Sequence, residues 1–111
     1  MRIAIFTDSF LPGVGGTEKA VLGLATALAE NNEVVVCAPY YSRKYKDDFR
    51  FRVLRANSIK ITNNDYFAFP FTSCEFKKEL KKFNPEIIHC QSVSPMAKYA
   101  LSYAKKHNIP V

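Results

Sequence analysis

The residues best placed to do chemistry lie near the start of the chain. Gly13-Val14-Gly15-Gly16-Thr17-Glu18 follows the apolar run Ile3-Ala4-Ile5-Phe6-Thr7 and precedes a stretch with helical periodicity. A buried strand feeding a glycine turn and then a helix is an arrangement suited to anions. The first N–H groups of a helix have no intrahelical partner, and the helix dipole adds positive potential there. Glycines let a phosphate approach the backbone without meeting a β-carbon. The expectation is a phosphate-bearing ligand near Gly13 to Thr17, set against a tight strand-to-helix turn that binds nothing. Two familiar nucleotide patterns are excluded. Glu18 stands where a third glycine would complete GxGxxG, and no GK[ST] follows. A dinucleotide site would also need an acid at the end of the second strand, where the sequence reads Cys37-Ala38-Pro39.

A second candidate is His89, near the end of the apolar run Glu86-Ile87-Ile88-His89-Cys90. Ligands of open α/β sheets bind beyond the carboxyl ends of the strands, at the point where strand order reverses. With the order 3-2-1-4-5 that reversal falls between the first and fourth strands, which would put His89 near the glycine loop. The alternative is a buried, hydrogen-bonded histidine. His107, near a helix end, reads as a group that complements the helix dipole.

Basic residues form two groups. Arg43, Lys44, Lys46, Arg50, Arg52 and Arg55 surround the second and third strands, and Lys77, Lys78, Lys81 and Lys82 share one face of a short amphipathic helix. Either group could be a solvated face, or could meet anionic lipid at about 1 kcal/mol per residue. Tyr40, Tyr41, Tyr45, Tyr66, Phe67, Phe69 and Phe71 suit a lipid or sugar interface as well as a core. The net charge of +6 favours anionic partners without choosing among them. Nucleic acid is not expected, since no helix-turn-helix, paired zinc ligands or RNA-recognition aromatic signature is present. Cys37, Cys74 and Cys90 are far apart and odd in number, which argues against zinc or a dithiol centre and for reduced thiols. No apolar run approaches the roughly 18 residues that span a bilayer, so a cytoplasmic location with peripheral contact on the inner membrane face is expected.

These groups need a scaffold, and 111 residues allow one domain. The continuous apolar character of Arg2 to Thr7 suits a strand covered on both faces. Ala20, Val21, Leu24, Ala25 and Leu28 give a helix one apolar face, with Thr17 as its N-cap and Asn31-Asn32 as its stop. Glu33 to Ala38 completes a βαβ unit, right-handed by the usual rule. Phe51 to Arg55 reads as a third strand. Ser58 to Ile61 and Tyr66 to Phe69 read as short extended pieces about an Asn63-Asn64-Asp65 turn. A helix over Cys74 to Phe83 buries Phe76, Leu80 and Phe83 and ends at Asn84-Pro85. A fourth strand over Glu86 to Cys90 and a helix over Pro95 to His107 follow, then the entry to a fifth strand at Asn108 to Val111. The fold class is α/β: a three-layer, Rossmann-like domain with a mostly parallel sheet.

Three stretches together resemble a known family. Arg2-Ile3-Ala4-Ile5-Phe6-Thr7-Asp8-Ser9-Phe10-Leu11-Pro12 with Gly15-Gly16-Thr17-Glu18 resembles the opening of retaining GT-B glycosyltransferases of the family 4, or group 1, type. Pro85-Glu86-Ile87-Ile88-His89-Cys90-Gln91-Ser92 resembles that family's P-D-I-V-H-x-H-S strand, and Ala104 to Val111 its A-x-x-x-x-I-P-V approach to the next strand. The stretch from Ser58 to Pro70 resembles the lipid-glycosylating members. The resemblance implies that residues 1–111 are the acceptor-side half of a GT-B fold, with the donor domain outside the chain and no turnover by this half alone. It implies a nucleotide-sugar donor held mainly by that other domain, a lipid or saccharide acceptor, no cofactor and no metal. Gly13, Gly15, Gly16 and Thr17 would approach the donor diphosphate. Asp8, Glu18, His89 and Gln91 would line the acceptor cleft, and Lys77, Lys78, Lys81 and Lys82 would face the membrane. Gln91 departs from the family by replacing the second histidine of H-x-H, which puts that histidine's role in doubt here. Two other readings remain: a stand-alone flavodoxin-like binding or signalling module without catalysis, and half of a nucleotide-sugar epimerase or dehydrogenase.

Overall fold

A computed structural model describes residues 1–12, 15–41, 47–61, 66–91 and 95–111. Gly13, Arg43, Lys44, Tyr45, Lys46 and the Asn63-Asn64-Asp65 turn lie outside the described residues. The elements are β1 (Arg2–Phe6), α1 (Gly16–Leu28), β2 (Glu33–Pro39), β3 (Arg52–Ala56), β4 (Ser58–Lys60), β5 (Tyr66–Ala68), a 3-10 turn (Pro70–Thr72), α2 (Cys74–Phe83), β6 (Ile87–Cys90) and α3 (Pro95–His107).

Four strands form a parallel sheet in the order β3-β2-β1-β6. Ile5 of β1 sits opposite Val36 on one side and His89 on the other. The reversal of strand order therefore falls between β1 and β6, as the sequence predicts. The backbone N–H of Ile88 donates to the Pro110 carbonyl (2.9 Å), which lays the end of the chain along the outer side of β6 where a fifth strand is predicted. β4 and β5 form a separate antiparallel hairpin.

Alternation along the strands makes two cores. Ile3, Ile5, Val34, Val36 and Ala38 face α1, where Val21 and Ala25 are fully buried. Ala4, Phe6, Val35, Cys37 and Leu54 face α2 and α3, and meet Phe76, Leu80, Met96, Tyr99 and Ala100. One helix on one face and two on the other give the three layers. Phe6 is fully buried and packs against the rings of Phe76 and Tyr99. Within α1, Ala20 is exposed, and Leu22 packs against the core in its place.

Helix ends follow local chemistry. Asn84 and Asn108 adopt left-handed φ values of 53° and 55°, which asparagine tolerates better than most residues. Ile109 N–H closes onto the Ala104 carbonyl (2.9 Å), a Schellman-type ending for α3. Asn32 donates its side-chain amide to the Leu28 carbonyl (3.0 Å), which satisfies one orphan acceptor at the predicted stop of α1.

Burial pushes the Cys37 thiol well above its ordinary value of 9.0, and burial with the nearby Asp8 charge raises Cys90. Burial, then Tyr103, then Cys37, push the Tyr99 hydroxyl up to about 12. These acids hold their protons longer in the folded chain than in the unfolded one. Their linkage contribution is complete below the unfolded values and falls away as pH rises above 9.0. Urea midpoints should therefore decline steadily on the alkaline side. Thiol labelling at about pH 8 should modify exposed Cys74 first and reach Cys37 only on unfolding.

Candidate functional site

Two helices begin at the carboxyl edge of the sheet, and they differ in how their first N–H groups are used. α3 follows β6, and its Met96 N–H donates to Asp8 Oδ1 (3.2 Å) from the loop after β1. α1 follows β1 with Gly15 as its N-cap, and no side chain caps it. Thr17 is not the N-cap the sequence predicts. It lies inside the first turn and is exposed, because the helix starts one residue earlier at Gly16. Asp8 thus serves one helix start, while among the described residues no side chain caps the other, on the same edge of the sheet.

The backbone does not require glycine at either described position of the loop. Gly15 is extended (φ 172°), a conformation any residue adopts. A β-carbon on Gly15 would sit 3.1 Å from the Glu18 carboxylate, which folds back over it, and one on Gly16 would meet nothing within 4 Å. Gly16 therefore keeps an open approach to the first turn of α1. Glu18 places a carboxylate beside that approach, so it borders the space rather than holding an anion.

On the β6 side, His89 is exposed, not buried. Its Nε2 lies 2.8 Å from Gln91 Oε1. An amide oxygen only accepts, so Nε2 carries the proton and Nδ1 is the basic nitrogen of the neutral ring. Residues two apart on an extended chain share a face, which is why this pair can form. Gln91 N–H donates to the Phe6 carbonyl (2.9 Å), tying the end of β6 to the end of β1. Asp8, His89 and Gln91 thus gather at the reversal of strand order, and Gly15, Gly16, Thr17 and Glu18 stand at the start of α1 on the same edge. Gly13 is outside the described residues.

The loop entering the glycines is held by a basic residue whose group, in the sequence, suits either a solvated face or anionic lipid. Arg55 at the end of β3 donates Nε and Nη2 to the two oxygens of Asp47 (3.1 and 2.6 Å), Nη1 to the Pro39 carbonyl (3.0 Å) and Nη2 to the Leu11 carbonyl (2.5 Å). Its guanidinium carbon lies 5.5 Å from the centre of the fully buried Phe10 ring. An arginine two residues after inward-packing Val53 on the same strand was the available signal. Arg52 behaves differently: its exposed side chain donates to Glu79 on α2 (2.9 Å), which holds the Glu79 carboxyl below its usual value.

Replacing Asp8 by alanine should cost about 1 kcal/mol through the lost α3 cap. Removing that charge should also lower the Cys90 thiol pKa, readable as faster labelling of Cys90 at a given pH.

Among the described residues, no group of three or more His, Cys, Asp or Glu could hold a metal ion. No described helix is long and apolar enough to cross a membrane.

Comparison with known proteins agrees with the fold. The family model described as Glycosyltransferase Family 4 matches residues 14–111. The chain is 28% identical over 115 residues to a GDP-mannose-dependent alpha-mannosyltransferase of Corynebacterium glutamicum. It is 29% identical to alpha-monoglucosyldiacylglycerol synthases of Acholeplasma laidlawii and Streptococcus pneumoniae, over 114 and 117 residues. These alignments cover 99%, 99% and 100% of the chain, but only 28%, 28% and 25% of the respective relatives. No solved structure matches significantly. With the family model covering nearly all of an α/β, Rossmann-like domain, the chain belongs to glycosyltransferase family 4.

Proposed function

We propose that this chain is the acceptor-side domain of an enzyme that moves a hexose from a nucleotide-sugar to a lipid, with retained anomeric configuration. The carrying observation is the uncapped start of α1, where Gly16 leaves the backbone open on the edge that also holds His89 and Asp8. Family membership supplies the reaction class. The relatives' names supply its candidates: one uses GDP-mannose, and two make a glucosyl diacylglycerol.

In this reading the donor is held mainly by a second domain, and its diphosphate reaches across to Gly15, Gly16 and Thr17. Negative charge grows on the leaving diphosphate as the glycosidic bond breaks. N–H groups already aimed at that position stabilise the charge without reorganising. His89, with its tautomer set by Gln91, faces the acceptor and can accept a hydrogen bond at Nδ1. Asp8 positions α3 rather than acting as a base, and Glu18 borders the cleft. Sugar donor and acceptor are substrates, so no cofactor is invoked. The α2 lysines Lys77, Lys78, Lys81 and Lys82 are all exposed and form the basic face toward an anionic membrane on its cytoplasmic side.

The test is transfer by the enzyme that carries this chain. It is given GDP-mannose or a nucleotide-activated glucose, with either dispersed diacylglycerol or a soluble saccharide. The α-glycolipid, identified by its anomeric NMR coupling, is the expected product. A β product would overturn retention, and transfer to the saccharide alone would overturn the lipid acceptor.

A further inference from the structure

The charge beside the start of α1 has the wrong sign for an anion. Glu18 sits in the first turn of that helix, and its carboxylate folds back over Gly15. A β-carbon on Gly15 would lie 3.1 Å from Glu18 Oε1 and 3.3 Å from Oε2. The Gly15 backbone is extended (φ 172°), so the carboxylate, not the chain conformation, takes up the room beside this glycine. A β-carbon on Gly16 would meet nothing within 4 Å, so the approach to the helix start is walled by Glu18 on one side and open on the other.

Local energetics explain why a carboxylate rests here. The orphan N–H groups and the dipole of a helix start favour negative charge, and a glutamate at the third helical position is a common source of it. With α1 beginning at Gly16, Glu18 holds that position. No cation claims the group. Among the described residues Glu18 makes no ion pair, whereas Glu86, Glu79 and Asp47 each face an arginine. Glu18 is half-buried, so a ligand entering the open side of this corner meets its field without a neutralising neighbour.

We propose that Glu18 expels the nucleoside diphosphate: it lowers the affinity of this corner for the spent product more than for the intact donor. This role rests on the reading that a donor diphosphate reaches Gly15 and Gly16. In a nucleotide-sugar the diphosphate is esterified at both ends and carries one negative charge on each phosphate. In the transfer, the bond from the anomeric carbon to the terminal phosphate oxygen breaks, and its electron pair stays on that oxygen. The acceptor hydroxyl oxygen bonds to the anomeric carbon, and its proton passes to the departing diphosphate. A terminal phosphate ionises a second time near pH 6, so that proton then leaves to water and the product carries nearly three charges at neutral pH. Repulsion from a fixed carboxylate grows with that charge. The helix N–H groups attract donor and product alike, and Glu18 subtracts more from the product. It takes up no proton and acts as a specificity-determining residue.

The test compares Glu18→Gln with the unaltered complete enzyme, using GDP-mannose with GDP, or a nucleotide-activated glucose with its own nucleoside diphosphate. Glutamine keeps the size and the helix preference and removes the charge. The inhibition constant of the nucleoside diphosphate should fall about tenfold, and KM for the donor about threefold. That difference should shrink with added salt, as the screening length falls from about 10 Å at 0.1 M to about 3 Å at 1 M. A side chain that only shapes the helix would show no such salt dependence. Glu18→Asp, which keeps the charge, should restore most of the unaltered ratio of the two constants. Glu30→Gln is the control: it removes the same charge from an exposed site about 18 Å along the helix axis, and should move neither constant. Equal changes in the two constants, or none, would overturn the proposal. Weaker donor binding in Glu18→Gln that appears only with magnesium would also overturn it, since the carboxylate would then hold the diphosphate through the metal. Gly16→Ala separates the two failures. If it lowers turnover while Glu18→Gln changes nothing, the donor reading stands and product expulsion falls. If it leaves turnover unchanged, the donor reading fails and takes this role with it.

Discussion

Arg55→Ala is expected to remove about 3 kcal/mol of stability, a large part of the roughly 10 kcal/mol available to a domain of this size. The Arg55 and Asp47 side chains are only 11% and 23% exposed, so the pair is mostly out of water. Truncation strands Asp47 and withdraws donors from the Pro39 and Leu11 carbonyls at once. An unmet buried polar group costs more than the bond itself contributed. Lysine would keep the charge but not the planar fork, and should recover less than half of the loss. Arg2→Ala is the control. That residue's salt bridge with Glu86 spans 3.5 Å between side chains 38% and 44% exposed, which is worth about 0.5 kcal/mol. Urea denaturation of the three variants checks the ranking. Because the Leu11 carbonyl leads into the glycine loop, Arg55→Ala should also loosen the corner at the start of α1 well below the melting point.

The layered fold was legible because the strands carry unbroken β-branched runs and the helices carry clean apolar faces. α2 and α3 begin and end where their periodicity and the following asparagines place them. The strand order could be anticipated because parallel crossovers have one hand. What stayed hidden depends on long-range pairing. Only its place two residues after Val53 separates Arg55, clamped across 44 residues to Leu11, from Arg52 on the same strand, whose exposed side chain reaches half-buried Glu79. Asp8 reads as a cleft residue in the sequence, and only the fold shows its carboxylate at the start of α3, 88 residues away. Phe67, Phe69 and Phe71 have core composition, and only the separation of the hairpin from the main sheet leaves them outside. Thr17 lost its predicted capping role because an uncapped glycine can begin a helix one residue earlier.

Gly16→Ala separates the two readings of the glycine loop. If the loop were only a turn, this change would be an improvement. A β-carbon there meets nothing within 4 Å, and alanine favours a helical residue over glycine by up to about 1 kcal/mol. If a diphosphate passes over the first turn of α1, the same β-carbon occupies the ligand's space. Losing one such stabilising contact costs on the order of 100-fold in turnover. Stability and activity should therefore move in opposite directions, which general damage to the fold cannot produce.

The most direct measurement pairs the melting temperature with kcat for sugar transfer to diacylglycerol, in the complete enzyme with and without Gly16→Ala. The account predicts an equal or higher melting temperature and turnover lowered about 100-fold. Turnover within twofold of the unaltered enzyme would show that no donor phosphate approaches this corner, and would contradict the account.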